Sequence, residues 1–198
     1  MNACTFLVAA KLARGALVLL ASMAAVAAHS EPAQVVAAKS RVDFLSKQLG
    51  VPLQGTFKSF KAQVDFDPRH PEGGTIAVQI DTGSASLGIP LSDAELAKAL
   101  WFDVSRFPQA TFQSSVINAV GNGTFEVHGR LMLKGVTRDL VVPVAIVRTP
   151  TGESVATGGF VLQRLDFRVG DGEWKDVSVV GDEVRVNFTF TLTGLPAL

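Results

Sequence analysis

The sequence predicts an all-β fold, and three observations carry that prediction. Near the C-terminus, apolar residues alternate strictly with polar ones, which is typical of a strand with one buried face: Val184, Val186, Phe188, Phe190 and Leu192. The same alternation recurs along most of the chain, between short turns rich in Gly, Asn and Pro. The predicted strands do not alternate with long helices, so a parallel sheet is not expected. About eight antiparallel strands, with one short helical excursion, should close into an up-and-down barrel or stack as a sandwich.

The first half of the chain contains three predicted strands. The first spans Ser40 to Leu45, where Val42 and Phe44 alternate with charged residues. The second has one apolar face, which consists of Phe60, Ala62, Val64 and Phe66. Phe57 lies out of phase with that face, which indicates a bulge or bend near Ser59. A turn rich in Pro and Gly leads to the third strand, with the apolar face Ile76, Val78 and Ile80.

A helical excursion interrupts the strands between Asp81 and Pro108. Ser92 and Asp93, with Glu95 close behind, are residue types that cap helix N-termini, so a short helix is predicted from Asp93 to Leu100. Three aromatic residues follow it: Trp101, Phe102 and Phe107. Because they lie off the strands, two interpretations are open. The excursion is either a lid or portal over one barrel mouth, or a plug that never moves.

Strands resume at Ala110 and continue to the C-terminus. Asn122-Gly123 is typical of a tight hairpin turn, and Lys134-Gly135 and the segment from Pro150 to Gly152 mark later turns. Phe112 and Val116 are predicted to share one face. The other apolar-face residues before the last strand are Phe125, Val127, Leu131, Leu133, Leu140, Val142, Val144, Ile146, Phe160 and Leu162.

Residues 1–28 are predicted to be a cleaved signal peptide, and residues 36–196 the folded domain. Lys11 and Arg14 precede an apolar run of 14 residues from Gly15 to Ala28, which ends in small residues. Cleavage after Ala27 or Ala28 fits this pattern. A membrane anchor is disfavoured because spanning a bilayer takes roughly 20 residues. Cys4 precedes the run and so does not provide a lipidated cleavage-site cysteine.

Composition excludes several classes of function. The signal region holds two of the 18 basic residues and none of the 18 acidic ones, which leaves 16 against 18, a net charge of −2. This charge balance does not favour electrostatic binding to nucleic acid or to an anionic membrane. Cys4 is the only cysteine, so a cleaved chain has no disulfide and no thiolate chemistry. The three histidines lack metal-ligand spacing, so no metal and no cofactor are expected.

Several short motifs resemble the YceI-like polyisoprenoid-binding family, in that family's order. The first comprises Gly55-Thr56-Phe57 with Phe60, then Val64-Asp65-Phe66-Asp67-Pro68. The second comprises Trp101-Phe102-Asp103, then Phe107-Pro108-Gln109-Ala110-Thr111-Phe112. The third comprises Gly129, Leu131, Leu133 and Lys134-Gly135-Val136-Thr137-Arg138, and the fourth is Arg164-Leu165-Asp166-Phe167. They run from about Ser40 to the end, so the resemblance covers essentially the whole predicted domain.

The resemblance implies an eight-stranded antiparallel lipocalin-like barrel in the periplasm. It also implies a non-enzymatic role, in which the barrel holds an isoprenoid lipid such as a quinone or prenyl chain. A barrel about ten residues tall is roughly 33 Å long, which suits an extended hydrocarbon. The candidate ligand-binding residues are Phe60, Val64, Phe66, Ile76, Val78, Ile80, Trp101, Phe102, Phe107, Phe112, Phe125, Val127, Leu131, Phe160, Leu162, Arg164, Phe188 and Phe190. By periodicity alone, the same side chains would simply fill the bore.

Arg164 shares a predicted strand face with Phe160 and Leu162. An arginine on a buried face should be paired or should reach the rim. Its guanidinium could bind a lipid headgroup such as a pyrophosphate. It could instead tie down the barrel end, against Asp166 or an aromatic ring, and this structural role is the favoured interpretation.

Two other functions stay open. Asp81-Thr82-Gly83-Ser84 resembles an aspartic protease motif, but that chemistry needs two carboxylates, so only a homodimer could supply it. A strand ending in a turn explains Asp81 better. The opposite face of the sixth predicted strand is also apolar, with Val141, Pro143, Ala145 and Val147. Such a face suits a homodimer contact or a membrane-associated redox partner, as in an interaction module with a filled barrel.

Overall fold

The computed structural model describes residues 32–197, so the predicted signal peptide lies outside the described residues. Eleven strands form one antiparallel sheet. They are β1 (Gln34–Val35), β2 (Arg41–Gln48), β3 (Val51–Phe57), β4 (Phe60–Asp65), β5 (Thr75–Asp81), β6 (Ala85–Ser86), β7 (Gln109–Gly121), β8 (Thr124–Leu133), β9 (Val136–Arg148), β10 (Ser154–Gln163) and β11 (Glu183–Thr193). Helix α1 spans Pro90–Leu96, and short 3₁₀ turns occupy Ala37–Lys39, Pro71–Gly73, Thr82–Ser84, Arg164–Phe167 and Gly172–Lys175. Within the described range, no helix is long and apolar enough to cross a bilayer.

The sheet closes on itself, and its seam lies at a bend in one strand. β3 and β4 are separated only by Lys58 and Ser59; β3 pairs with β2, and β4 pairs with β5. Beyond the bend, β1 joins β4 to β11, because Ala33 bridges Val64 and β1 pairs with β11. With β3 and β4 taken as one bent strand and the two-residue β1 and β6 set aside, eight long strands form the barrel. The predicted fold class is therefore confirmed.

The predicted bend near Ser59 is present, but the sequence analysis missed strand β3 before it. Gly50 and Pro52 look like strand breakers. In the structure, Leu49 and Gly50 form a tight turn with positive φ angles of 50° and 79°, as in a hairpin. Pro52 pairs with Lys47 on β2. Among the described residues, β3 has no strand partner on its other side at this point, because β6 reaches only its last two residues. The missing N–H of proline is therefore tolerated.

Side chains largely alternate between the interior and the surface as predicted, and β7 departs from this at a bulge. A bulge between Ser114 and Val116 adds a residue to the strand. Because side-chain alternation has a period of two, the extra residue reverses the faces beyond it. Val116 is therefore exposed, and Ile117 is buried in the core instead. The prediction that Phe112 and Val116 share a face is wrong for this reason.

Several phenylalanine rings lie against the barrel wall over glycines of neighbouring strands. A Cβ built on Gly55 would stand 2.2 Å from the far edge of the Phe44 ring. Gly129 lies under Phe112 and Gly158 lies under Phe188 in the same way, each with a 2.5 Å approach. A ring that lies along the wall does not project into the centre. A barrel rich in phenylalanine can therefore keep an open bore.

The helix in the excursion begins and ends earlier than predicted. It spans Pro90–Leu96 rather than Asp93–Leu100, with Pro90 in the first turn, where an N–H is not needed. Asp93 accepts hydrogen bonds from the Ser86 hydroxyl and the backbone N–H of Leu87. These two bonds lower the pKa of Asp93. Asp93 thus ties the helix to β6 instead of starting the helix.

Candidate ligand-binding cavity

The barrel encloses two apolar chambers that share part of their walls. The mouth chamber lies at the end covered by the helical excursion and has a volume of about 220 Å³. The inner chamber lies towards the other end and has a volume of about 130 Å³. Six residues line both: Val42, Ile80, Ala110, Leu131, Phe160 and Val186. We call these six the shared ring; the two chambers lie side by side along it, and together we call them the bore.

Every described residue that lines the inner chamber is apolar. At its far end, the Phe66 ring packs edge-on against Phe125, with 5.0 Å between ring centres. Ile117, 2% exposed, belongs to the same buried cluster. Apolar cavities of this kind do not hold water well, because a buried water needs polar partners. The inner chamber is therefore suited to hydrocarbon.

Two segments cover the mouth chamber, residues 90–108 and residues 164–180, and we call them the mouth cover. Side chains of both segments line the chamber: Ser92, Glu95, Leu96, Trp101, Phe102, Arg164, Val169, Trp174 and Val180. Hydrogen bonds join the segments, because the backbone N–H groups of Gly170 and Asp171 both donate to the Leu100 carbonyl at 2.9 Å. The rings of Trp101 and Trp174 also pack together, with 5.4 Å between their centres.

Arg164 holds the mouth cover from inside. It begins a 3₁₀ turn after β10, rather than lying on a strand as predicted, and it is 2% exposed. All five guanidinium N–H groups donate to backbone carbonyls at 2.7–3.0 Å. The acceptors are the carbonyls of Val169, Gly170, Trp174, Val180 and Gly181. The guanidinium carbon also lies 5.9 Å from the centre of the Trp101 ring, within cation–π range.

These contacts leave Arg164 no donor for a lipid headgroup, so its arrangement fits the structural role. The expected aromatic contact is present, whereas Asp166 is not among the side-chain partners of Arg164. Desolvation lowers the pKa of Arg164, and the Asp182 carboxylate acts in the opposite direction. Gly170 has a φ of 72°, and a Cβ there would stand 2.2 Å from the Arg164 Nη1 atom. A glycine is therefore required beside the guanidinium.

Most of the predicted ligand-binding residues line the bore. The mouth chamber contains Ile80, Trp101, Phe102, Leu131, Phe160, Leu162 and Arg164. The inner chamber contains Val64, Phe66, Ile76, Val78, Ile80, Phe112, Val127, Leu131, Phe160, Phe188 and Phe190. The structure places three predicted residues outside both chambers. Phe60 and Phe125 pack in the core, and Phe107 lies between Gly135 and the Arg106 guanidinium.

Other lining residues were not among the predicted ligand-binding residues, for two different reasons. Some lie on strand faces that the sequence analysis had recognised as apolar, so the alternation alone could have found them: Val42, Phe44, Val142, Val144, Ile146, Val184 and Val186. Val169, Trp174 and Val180 lie on an irregular segment. No periodic pattern predicts where such a segment folds.

The protease-like motif at Asp81 has a structural role in the turn after β5, and the potential metal-ligating side chains of the described residues do not cluster. The Asp81 carboxylate accepts the backbone N–H of Gly83, and the Ser84 hydroxyl donates to the Asp81 carbonyl. Asp81 thus caps the turn after β5, as the simpler interpretation predicts. Among residues 32–197, no three His, Cys, Asp or Glu side chains are grouped as a metal site would require.

Comparison with known proteins identifies the family. The family model of the YceI-like domain matches residues 34–192. This range is most of the chain and contains the residues that line both chambers. The chain belongs to the YceI-like family. A UPF0312 protein of Azotobacter vinelandii is 32% identical over 149 residues, which cover 72% of this chain and 76% of the relative.

Solved structures share this YceI-like barrel. The crystal structure of Burkholderia cenocepacia BcnA is 40% identical, with a TM-score of 0.78, over 81% of this chain and 100% of that chain. A polyisoprenoid binding domain from Saccharophagus degradans, implicated in plant cell wall breakdown, has a TM-score of 0.66 at 18% identity. That likeness covers 83% of this chain and 98% of the domain, and it concerns the fold. The resemblance found in the sequence and the lipocalin-like barrel are confirmed, and neither the family description nor these relatives' descriptions name an enzymatic activity.

Proposed function

We propose that this YceI-like protein is a non-enzymatic carrier that binds an isoprenoid lipid in its bore and sequesters or transports it. The observation that carries the proposal is the pair of apolar chambers joined at the shared ring. Removing hydrocarbon from water gains about 25 cal/mol for each Å² buried. A bore of this kind can therefore hold an apolar chain without charged contacts. A filled barrel, the alternative, would leave no such space.

The shape of the bore favours an elongated ligand. A ligand that occupies both chambers has to pass the shared ring, where six side chains from different strands converge. An isoprenoid chain is elongated, flexible and apolar along its length. The fold likeness to a domain described as polyisoprenoid binding supports the same choice of ligand.

The site of action in this proposal is the periplasm. The support is the N-terminal sequence, with Lys11 and Arg14 beside an apolar run that ends in small residues. N-terminal sequencing of protein recovered from the periplasm tests this step. We expect the mature chain to begin after Ala27 or Ala28. Recovery of the uncleaved chain from the cytoplasm alone would contradict it.

Organic extraction followed by mass spectrometry tests the carrier proposal. Protein purified from the periplasm should release an isoprenoid in stoichiometric amount, and an unrelated periplasmic protein purified in parallel should not. After delipidation, the protein should take up farnesylacetone, an isoprenoid ketone. Repeated absence of any stoichiometric isoprenoid, together with no uptake of farnesylacetone, would refute the proposal.

The outer face of β9 supports a second candidate function, an interaction module. Val141 is 46% exposed and Val147 is 64% exposed, and Pro143 between them is exposed as well. Exposed apolar residues on one strand suit a homodimer contact or a membrane-associated redox partner. Light scattering should show a dimer at high concentration that Val147→Lys disrupts. A monomer at every concentration would count against the homodimer.

A further inference from the structure

Five apolar side chains project into solvent from segments around the mouth chamber. Leu91, in the first turn of α1, is 83% exposed, and Leu49 and Val51 in the β2–β3 hairpin are 71% and 65% exposed. Ile89 and Val177 are exposed as well. We call these five residues the mouth tips. Single exposed apolar residues are ordinary on a protein surface, whereas several of them around one opening mark an interaction site.

The mouth tips border the place where the mouth chamber reaches the surface. Gln48 lines the chamber and is itself exposed, so the chamber opens beside it. Leu49 follows Gln48, and its backbone N–H donates to the Val179 carbonyl at 2.8 Å, which ties the hairpin to the mouth cover. In α1, Ser92 lines the chamber directly after Leu91. Separate segments therefore carry apolar side chains to the rim of one opening.

An apolar strand face joins the chamber to the surface. Side chains at alternate positions of a strand point to the same face. On β3, Phe57 and Leu53 share a face and line the mouth chamber. Val51 continues this face beyond Leu53 and is exposed. An apolar chain that leaves the chamber along β3 therefore stays in contact with apolar side chains as it reaches the surface.

The backbone at Leu49 points to a contact of its side chain outside the folded domain. Leu49 is the first residue of the two-residue hairpin turn and has a φ of 50°. Asn, Asp and Gly favour this left-handed conformation, and a leucine there is uncommon. Because the side chain is exposed, packing does not offset the unfavourable conformation. A residue that breaks a local rule without a gain in folding is expected at a functional site.

We infer that the mouth tips insert into the surface of a lipid bilayer, where the isoprenoid enters or leaves the mouth chamber. The inference rests on the proposed carrier function and adds the partner of the same site. Long isoprenoids are insoluble in water and reside in bilayers, so a carrier has to meet a bilayer to load or release them. Apolar side chains partition into the boundary between headgroups and acyl chains, and the gain grows with the apolar area buried.

Charge and access favour a neutral bilayer as the occupant of this surface. Residues 47–51, 89–95 and 173–177 together contain two lysines against four carboxylates. Attraction to anionic lipids therefore does not contribute, and binding depends on the apolar side chains. A second copy of the chain seated on the mouth tips would cover the opening and block exchange of the ligand. A bilayer instead supplies the phase in which the ligand dissolves.

Flotation of the delipidated protein with vesicles of phosphatidylcholine and phosphatidylethanolamine, which carry no net charge, tests this inference. Leu91→Gln and Leu49→Asn should each weaken vesicle binding about tenfold, because one leucine no longer enters the bilayer. Leu49→Asn should leave the urea midpoint unchanged or raise it, since asparagine favours the turn conformation. Val120→Gln is the matched control, because Val120 is 61% exposed and follows Ala119, which pairs with Phe125 at the far end of the barrel.

Binding and transfer of farnesylacetone separate this inference from the carrier proposal. Without vesicles, Leu91→Gln and Leu49→Asn should bind farnesylacetone within about twofold of the parent Kd, because neither position is among the described residues that line the two chambers. Transfer of farnesylacetone from donor to acceptor vesicles should slow about tenfold in both variants. Val120→Gln should match the parent protein in both assays.

A parent protein that binds farnesylacetone but does not float with neutral vesicles would overturn this inference alone. Equal loss of vesicle binding in Val120→Gln, vesicle binding only after anionic phosphatidylglycerol is added, or a dimer that Leu91→Gln dissociates would do the same. Failure of the parent protein to bind farnesylacetone would instead refute the carrier proposal together with it.

Discussion

An Ala110→Leu substitution should separate the two chambers while the barrel still folds. Ala110 lies on β7, is 7% exposed and belongs to the shared ring. A larger side chain here enters open space, so it fills a cavity instead of overpacking the core. We expect the free energy of unfolding to stay the same or to rise by up to about 2 kcal/mol, as for other cavity-filling changes.

The expected loss of binding follows from the part of the ligand that no longer enters the inner chamber. Each buried methylene contributes about 0.8 kcal/mol, so excluding one five-carbon isoprene unit removes at most about 4 kcal/mol. This corresponds to about a thousandfold in Kd. Farnesylacetone should therefore bind up to about a thousandfold more weakly to Ala110→Leu. The shorter ketone geranylacetone, held in the mouth chamber, should bind within about twofold of its original Kd.

Tryptophan fluorescence measures both affinities, because Trp101 and Trp174 line the mouth chamber. Ala77→Leu is the matched control, since Ala77 pairs with the exposed Gln63 and Gln113 on the outer face of β5. Urea denaturation checks that each variant is folded. The reasoning is refuted if Ala110→Leu is as stable as the parent protein and binds farnesylacetone equally well.

Three further changes test other parts of the structure: two beside the mouth chamber and one in an exposed turn. Arg164→Lys should lower the free energy of unfolding by about 2–4 kcal/mol in urea, because an ammonium has three donors for five carbonyls; an unchanged midpoint would contradict this. Gly55→Ala should cost about 1–3 kcal/mol and weaken farnesylacetone binding, since its Cβ would push the Phe44 ring into the mouth chamber; normal stability and affinity would argue against it. The Arg69 side chain and backbone N–H lower the pKa of Asp67 to about 2, so NMR titration of Arg69→Ala should show that pKa raised towards 3.8. Because the folded-state pKa is depressed, any stabilisation from this pair is present above the ordinary carboxyl pKa and is lost as the pH falls towards about 2.

Much of the fold could be predicted because strand faces follow a local rule. The apolar faces of β5, β8, β10 and β11 were all visible as period-two alternation. The errors occur where an extra residue reverses the side-chain alternation, or where a proline lies within a strand. The bulge after Ser114 turns Val116 outward, and Pro52 pairs in a strand because it lies near a sheet edge. Both features depend on the neighbouring strand, and the residue pattern of one strand carries no information about its neighbours.

Less of the candidate site could be predicted, because it depends on contacts between distant parts of the chain. The motif around Trp101 was recognised, but Trp174 pairs with it from a segment without periodicity. Arg164 was singled out for its burial. Its hydrogen-bond acceptors are backbone carbonyls, as far along the chain as that of Gly181. Every residue has a backbone carbonyl, so residue types do not predict which carbonyls Arg164 contacts.

The sequence by itself determined that alternate residues of this chain line the inside of a β-barrel, since a strand turns successive side chains to opposite faces. It did not determine whether that inside is filled. The tertiary structure decided this, because the rings of Phe44, Phe112 and Phe188 lie over glycines of neighbouring strands and so leave the centre open. Val184, Val186, Phe188, Phe190 and Leu192 would show the same alternation around a solid core. Only the cross-strand packing makes these five side chains the walls of a chamber.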